Sequence, residues 1–395
     1  MILLLFDTVD LPLGLWIVTI LKLSCCGLTM YLFLARSFEQ NRKDFLLFST
    51  SYAVMGYNVV QMQNIMWIDA VILLPLVALG IKNYVKKKKF GLFVLSLAAA
   101  VAINFYTGYM LCLFSAIYLL AEVALDSEQF VFKKIFKKYF GGLFYIVLAV
   151  MMSGFSLLPV YYEISGSRMK ESSLRSTFYM LKNLDSRMWE LGNKLCIGTY
   201  NVHQLKSGLP NIYAGCLCFV LFILFFVSRK YKVSKKEKII YAITCVVLLL
   251  SFVSVGVNMI WHGFAQANGS PYRYSFFVSF LMIEIASRQY LKIQEGQEMV
   301  RKKDAAELVN IGIAAILGAF LLYKGFVQYK IDESDYLNLS QILLTVGFIL
   351  VWFVLLKLRK SHKMMIGTYK SYCMLFFLII ELGLNMGIDI SHFSY

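Results

Sequence analysis

The chain has 395 residues, 59% of them hydrophobic, and a mean hydropathy of +0.67. Soluble domains are about half apolar, so the composition excludes a soluble globular protein. A net charge of +16 would suggest a nucleic-acid partner for a soluble chain. Here the cations flank apolar runs, where they signal membrane topology and imply no nucleic acid.

Continuous apolar runs of about twenty residues predict an all-α, polytopic transmembrane helical bundle rather than a β-barrel. About 12 spans are expected by length. They fall at 11–35, 44–60, 66–85, 90–103, 105–124, 139–159, 211–228, 238–257, 273–291, 306–324, 339–357 and 365–387. The runs at 44–60 and 90–103 are at the lower limit for crossing and are expected to be re-entrant or broken. Residues 160–210 mix Glu163, Arg168, Asp185, Arg187 and Glu190 with Met169, Phe178, Leu181, Leu184 and Met188. That mixture suits amphipathic helices on the membrane surface. The chain is therefore divided into an N-terminal transmembrane bundle (1–159), an extracytoplasmic amphipathic loop (160–210) and a C-terminal transmembrane bundle (211–395).

Alternate loops carry the positive charge. They are 36–43, 82–89 (Lys82 and Lys86 to Lys89), 126–138, 229–238, 288–303 and 357–363. By the positive-inside rule these are cytoplasmic, and both termini lie outside. The opposite loops are rich in Asn, Gln, Trp, Tyr and Gly, which places the chemistry on the outer face. The Lys86–Lys89 run is most simply a membrane-flanking anchor.

The most chemically dense stretch is 258–277, Asn-Met-Ile-Trp-His-Gly-Phe-Ala-Gln-Ala-Asn-Gly-Ser-Pro-Tyr-Arg-Tyr-Ser-Phe-Phe. It is too polar for hydrocarbon and too aromatic for a solvated linker, and it is read as lining a pocket at the membrane surface. Arg273 suits a lipid phosphate or pyrophosphate, or it is a snorkelling flank residue. Tyr272 and His262 add stacking and hydrogen-bonding groups, and His262 could act as a general base. Asp69, beside Asn64 and Trp67, is either a base or ligand for a sugar hydroxyl, or a first-turn residue favoured by the helix dipole. Trp67 also fits an interfacial belt. Asn104-Phe-Tyr-Thr-Gly-Tyr109 interrupts an apolar run, as membrane helices do where they line a cavity. Cys216-x-Cys218 lies in a span and reads as buried thiols. Nothing implies a metal or a nucleotide cofactor. Lys22 and Glu381, both within spans, are candidates to pair.

Taken in order, Asn64-Ile-Met-Trp-Ile-Asp69, Asn104-Phe-Tyr-Thr-Gly-Tyr109, Gly208-Leu-Pro-Asn-Ile-Tyr213, Asn258-Met-Ile-Trp-His-Gly263 with Pro271-Tyr-Arg273, and Glu381-Leu-Gly-Leu-Asn385 resemble the YfhO family of bacterial membrane proteins. The family is similar to GT-C glycosyltransferases. The resemblance implies a GT-C-like fold in the bacterial cell membrane. It also implies transfer of a sugar from a polyprenyl-phosphate donor to an envelope polymer such as teichoic acid. Asp69 and His262 would be catalytic. Arg273, Arg168, Tyr272, Asn64, Trp67, Asn104 and Tyr109 would bind substrate. Family members begin with a further span and an outer loop where GT-C enzymes usually carry the base, and they continue into a C-terminal extracellular region. The chain is thus expected to be their central membrane portion. A transporter of lipid-linked sugars, or a non-catalytic truncated member, are the alternatives.

Overall fold

A computed structural model of the chain describes residues 7, 10–40, 42–127, 132–166, 174–201, 204, 208–228, 233–299, 337–358 and 364–392. The described elements are helices, joined by turns and one isolated β-bridge. Six are long and apolar enough to cross a membrane, half the expected number. The expected span at 306–324 lies outside the described residues. Several others are split or short: 44–60 divides into α2 (Phe45–Ala53) and α3 (Gly56–Gln61), and 90–103 is the 13-residue α5 (Gly91–Ile103). The helices form two compact units.

The first unit (1–41, 52–54 and 60–171) holds α1 (Leu11–Ser37), α4 (Ile68–Lys87), α5, α6 (Phe105–Asp126), α7 (Phe132–Met152) and α8 (Gly154–Gly166). Its core is apolar and aromatic, with Phe33, Leu74, Phe93, Leu97, Phe114 and Tyr118 buried. Asn104 caps α6, its side-chain oxygen accepting from the Tyr106 and Thr107 amides (3.1 and 3.2 Å). This satisfies amides that a helix start leaves unpaired. Ser153 separates α7 from α8 and donates its hydroxyl to the Ala98 carbonyl (2.9 Å). Lys82, read from sequence as a loop residue, is buried in α4 because that helix continues to Lys87. Its ammonium lies 3.4 Å from the buried Glu122 carboxylate and over the rings of Phe33 and Tyr118.

The second unit (42–51, 55–59 and 172–395) contains α9 (Leu174–Met180), α10 (Cys216–Val227), α11 (Lys235–Val253), α12 (Val255–Trp261), α13 (Phe276–Met299), α14 (Leu339–Leu358) and α15 (Met364–Ser391). Two non-helical stretches are held inside it. Residues 196–201, expected on a surface, are buried. The Ile197 amide donates to Thr345, the Gly198 amide to Asn385 (2.9 Å), and Gln341 donates to the Gly198 carbonyl (2.6 Å). The second stretch, 208–215, is anchored by Glu381. That carboxylate accepts from the Tyr213 hydroxyl (2.6 Å), the Cys216 amide (2.5 Å) and the Trp352 indole (2.6 Å). Three donors stabilise a carboxylate whose burial would otherwise be prohibitive. The suggested pairing of Glu381 with Lys22 is thus incorrect. Glu381 is satisfied by uncharged donors, and Lys22 has a different partner, Asp69.

Candidate functional site

The site in the second unit begins at an interruption. Helix α11 ends at Val253 and α12 starts at Val255, with Ser254 between them capping the Val257 amide. A helix break exposes backbone groups that need partners. Here they come from residues 181–185. The Asp185 amide donates to the Val253 carbonyl (2.8 Å), the Val255 amide to the Asn183 carbonyl (3.0 Å), and the Ser254 hydroxyl to the Leu181 carbonyl (3.0 Å). Gly256 permits the close approach, because a Cβ there would lie 2.5 Å from the Leu181 nitrogen and 2.7 Å from the Thr177 carbonyl oxygen.

This pairing fixes Asp185, which caps the 3-10 helix Ser186–Leu195. Its carboxylate accepts from Arg187 through the backbone amide (2.9 Å), Nε (3.2 Å) and Nη2 (2.9 Å), and from the Tyr272 hydroxyl (2.8 Å). Burial alone would raise the Asp185 carboxyl, but the hydrogen bonds from Arg187 and Tyr272 outweigh it and hold the group below the ordinary carboxylate range. Tyr272 is buried edge-on against Phe252 (5.5 Å), and burial pushes its hydroxyl well up.

His262 follows the last residue of α12 and is 5% exposed. Its Nε2 lies 2.6 Å from the Pro271 carbonyl. Burial lowers its pKa to about 4, against the favourable Pro271 carbonyl, so the ring is neutral at pH 7. A carbonyl only accepts, so Nε2 carries the proton and Nδ1 is the ring's acceptor. Behind this wall, Trp261 stacks on Tyr274 at 4.6 Å and Tyr274 on Phe252 at 5.3 Å. The result is a cavity of about 240 Å³ lined by Asp185, Arg187, Asn258, His262, Gln266 and Tyr272, with Phe252, Met259 and Pro271 as apolar walls. The buried side-chain oxygen of Asn258 has no hydrogen-bond partner among the described residues. The set offers hydrogen-bonding groups and an aromatic edge with its strongest charges paired, an arrangement suited to a polyhydroxylated ligand.

Of the residues singled out from sequence, His262 and Tyr272 line this cavity. Arg273 is adjacent in sequence, but its Nη2 donates to the Asn268 and Gly269 carbonyls (3.0 Å each), closing the turn that precedes Pro271. Asp69, Asn64, Trp67, Asn104 and Tyr109 belong to the first unit. There Lys22 lies 2.8 Å from both Asp69 oxygens and 2.9 Å from the Ile65 carbonyl, Asn64 donates to Gln61 (2.9 Å), and Trp67 precedes α4 half-buried. Asn104 is engaged as the α6 cap and Tyr109 is half-buried in α6. Arg168 lies outside the described residues. Asp185, Arg187, Asn258 and Gln266 were not selected from sequence as site residues. The available signals were an Asp-x-Arg at a helix start and an Asn258/His262 pair one helical turn apart.

Among the described residues no group of three His, Cys, Asp or Glu side chains is placed to hold a metal. No curated protein and no solved structure matches the chain. A family model described as bacterial membrane protein YfhO matches residues 1–395. With membrane-length apolar helices in place and the match running its whole length, the chain belongs to the YfhO family of bacterial membrane proteins.

Proposed function

We propose that this chain is a membrane glycosyltransferase, or part of one, moving a sugar from a polyprenyl-phosphate donor to an envelope polymer on the outer face. The observation that carries this reading is the cavity that gathers Asp185, Arg187, Asn258, His262, Gln266 and Tyr272 outside the membrane-length helices. Ligand pockets commonly occupy about 300–1,000 Å³, so about 240 Å³ suits a single sugar ring.

In the reaction, an acceptor hydroxyl oxygen bonds to the anomeric carbon. The bond from that carbon to the donor phosphate oxygen breaks, its electron pair leaving on phosphate, and the hydroxyl proton passes to a base. His262, with a pKa of about 4, has the basicity of the carboxylates that serve this chemistry elsewhere. Asn258, Gln266 and Tyr272 orient the ring. Arg187, paired with Asp185, holds that carboxylate in the cavity wall, and Arg273 shapes the loop that carries Pro271 and Tyr272.

The test is a radiolabelled-sugar transfer assay in membranes, comparing wild type with Asp185→Asn, Tyr272→Phe, Arg273→Ala and Asp69→Asn. Loss in the first two supports the site. Transfer that survives both sinks it. Flux of lipid-linked sugar across liposomes without transfer moves the reading to transport.

A further inference from the structure

The fold draws two lysine clusters together at one end of the first unit. Lys86 and Lys87 close α4, and Lys88 and Lys89 follow it. Lys133, Lys134, Lys137 and Lys138 occupy the first turns of α7. The junction between them is specific. The Tyr84 hydroxyl donates to the Lys138 carbonyl (2.8 Å), Tyr84 meets Tyr145 edge-on (5.2 Å), and Phe90 stacks on Tyr145 (4.5 Å). Gly141 makes room, since a Cβ there would lie 2.7 Å from the Tyr84 hydroxyl. Among the described residues, two of the eight lysines have acidic partners, Lys87 with Glu39 (3.0 Å) and Lys138 with Asp126 (2.7 Å). The other six are exposed. An aromatic stripe starts in the same turns of α7: Phe132, Phe136, Phe140 and Phe144 are all exposed, with Phe136 and Phe140 at 4.1 Å.

We propose that this collar binds the phosphate headgroup of an anionic phospholipid, with the phenylalanine stripe lying along its acyl chains. A topology signal alone needs cations near helix ends. It does not need two clusters bridged by Tyr84 and Gly141, nor an aromatic stripe rising from the same turns. Lys88 also adopts the left-handed conformation (φ 55°), at a helix end where glycine or asparagine is favoured, and retains a cation there. Charge complementarity selects an acidic headgroup, and the stripe selects a lipid over a soluble anion.

The full chain in detergent is titrated with phosphatidylglycerol and, separately, phosphatidylcholine, and bound lipid is counted by native mass spectrometry. A lysine near a membrane surface contributes about fivefold to anionic-lipid binding. Lys133→Gln with Lys137→Gln is therefore expected to weaken phosphatidylglycerol binding by about 25-fold and to leave phosphatidylcholine unchanged. Lys235→Gln with Lys236→Gln, at the start of α11, is the control for general surface charge and is expected to weaken phosphatidylglycerol binding less and to leave phosphatidylcholine unchanged. Equal binding of the two lipids by wild type, or an equal loss in the control, overturns the proposal.

Discussion

His262 makes the stability of the second unit depend on pH in a calculable way. An accessible histidine titrates near 6.5, and in the folded protein burial lowers this to about 4. Between those values the unfolded chain binds a proton that the folded chain does not, so stability falls as pH drops from 7 towards 4. Single-site linkage over that pair of pKa values gives a loss of about 2 kcal/mol between pH 7 and pH 5. The matching perturbation is His262→Gln, whose side-chain amide can still donate to the Pro271 carbonyl but does not titrate. Thermal unfolding of both proteins in detergent at pH 7 and pH 5 isolates the histidine, because every other group titrates alike in the two. Wild type is expected to lose about 2 kcal/mol more than the variant, a difference on the order of 5 °C in midpoint. If both lose the same stability over that interval, His262 is not buried in its neutral form and the account of its ring as a proton acceptor is wrong.

Two further outcomes follow from close packing and buried charge. Gly256→Ala places a methyl group against the backbone of Leu181 and Thr177, so α9 must shift. Its expected cost is about 1–3 kcal/mol, read as a lowered unfolding midpoint with weakened ligand binding at the Asp185 site. Lys82→Met leaves the Glu122 carboxylate buried without its cation and is expected to cost about 3–5 kcal/mol. Adding Glu122→Leu should recover most of it, and a double-mutant cycle that comes out additive would show that the two charges do not couple.

The sequence made the helices legible because long apolar runs admit few other structures in a membrane. The interruptions were harder to see. At Ser153 and Ser254 the helices stop where the serine hydroxyls find carbonyl partners elsewhere, at Ala98 and Leu181. Lys82 was grouped with the Lys86–Lys89 run by proximity, and only the length of α4 shows that it is inside. The polar stretch at 258–277 was recognised from its own composition. Its main partner was not, because Asp185 stands 87 residues before Tyr272 in a segment that read as amphipathic surface. Lys22 shows the same limit. A charge in a span announces that it needs a partner, but which carboxylate supplies it is set by the fold.

The three donors converging on Glu381 also impose an order on assembly. Cys216 and Glu381 are 165 residues apart. At ribosomal rates of about 5–20 residues per second, roughly ten to thirty seconds separate their synthesis. Throughout that interval Tyr213 and the start of α10 lack the acceptor that they share with Trp352 in the finished protein. The segment before α10 therefore lacks its carboxylate partner until α15 has been made, and a nascent chain stalled short of residue 381 presents unsatisfied donors to the insertion machinery. These contacts in the second unit wait for residue 381, with a single carboxylate as their latch.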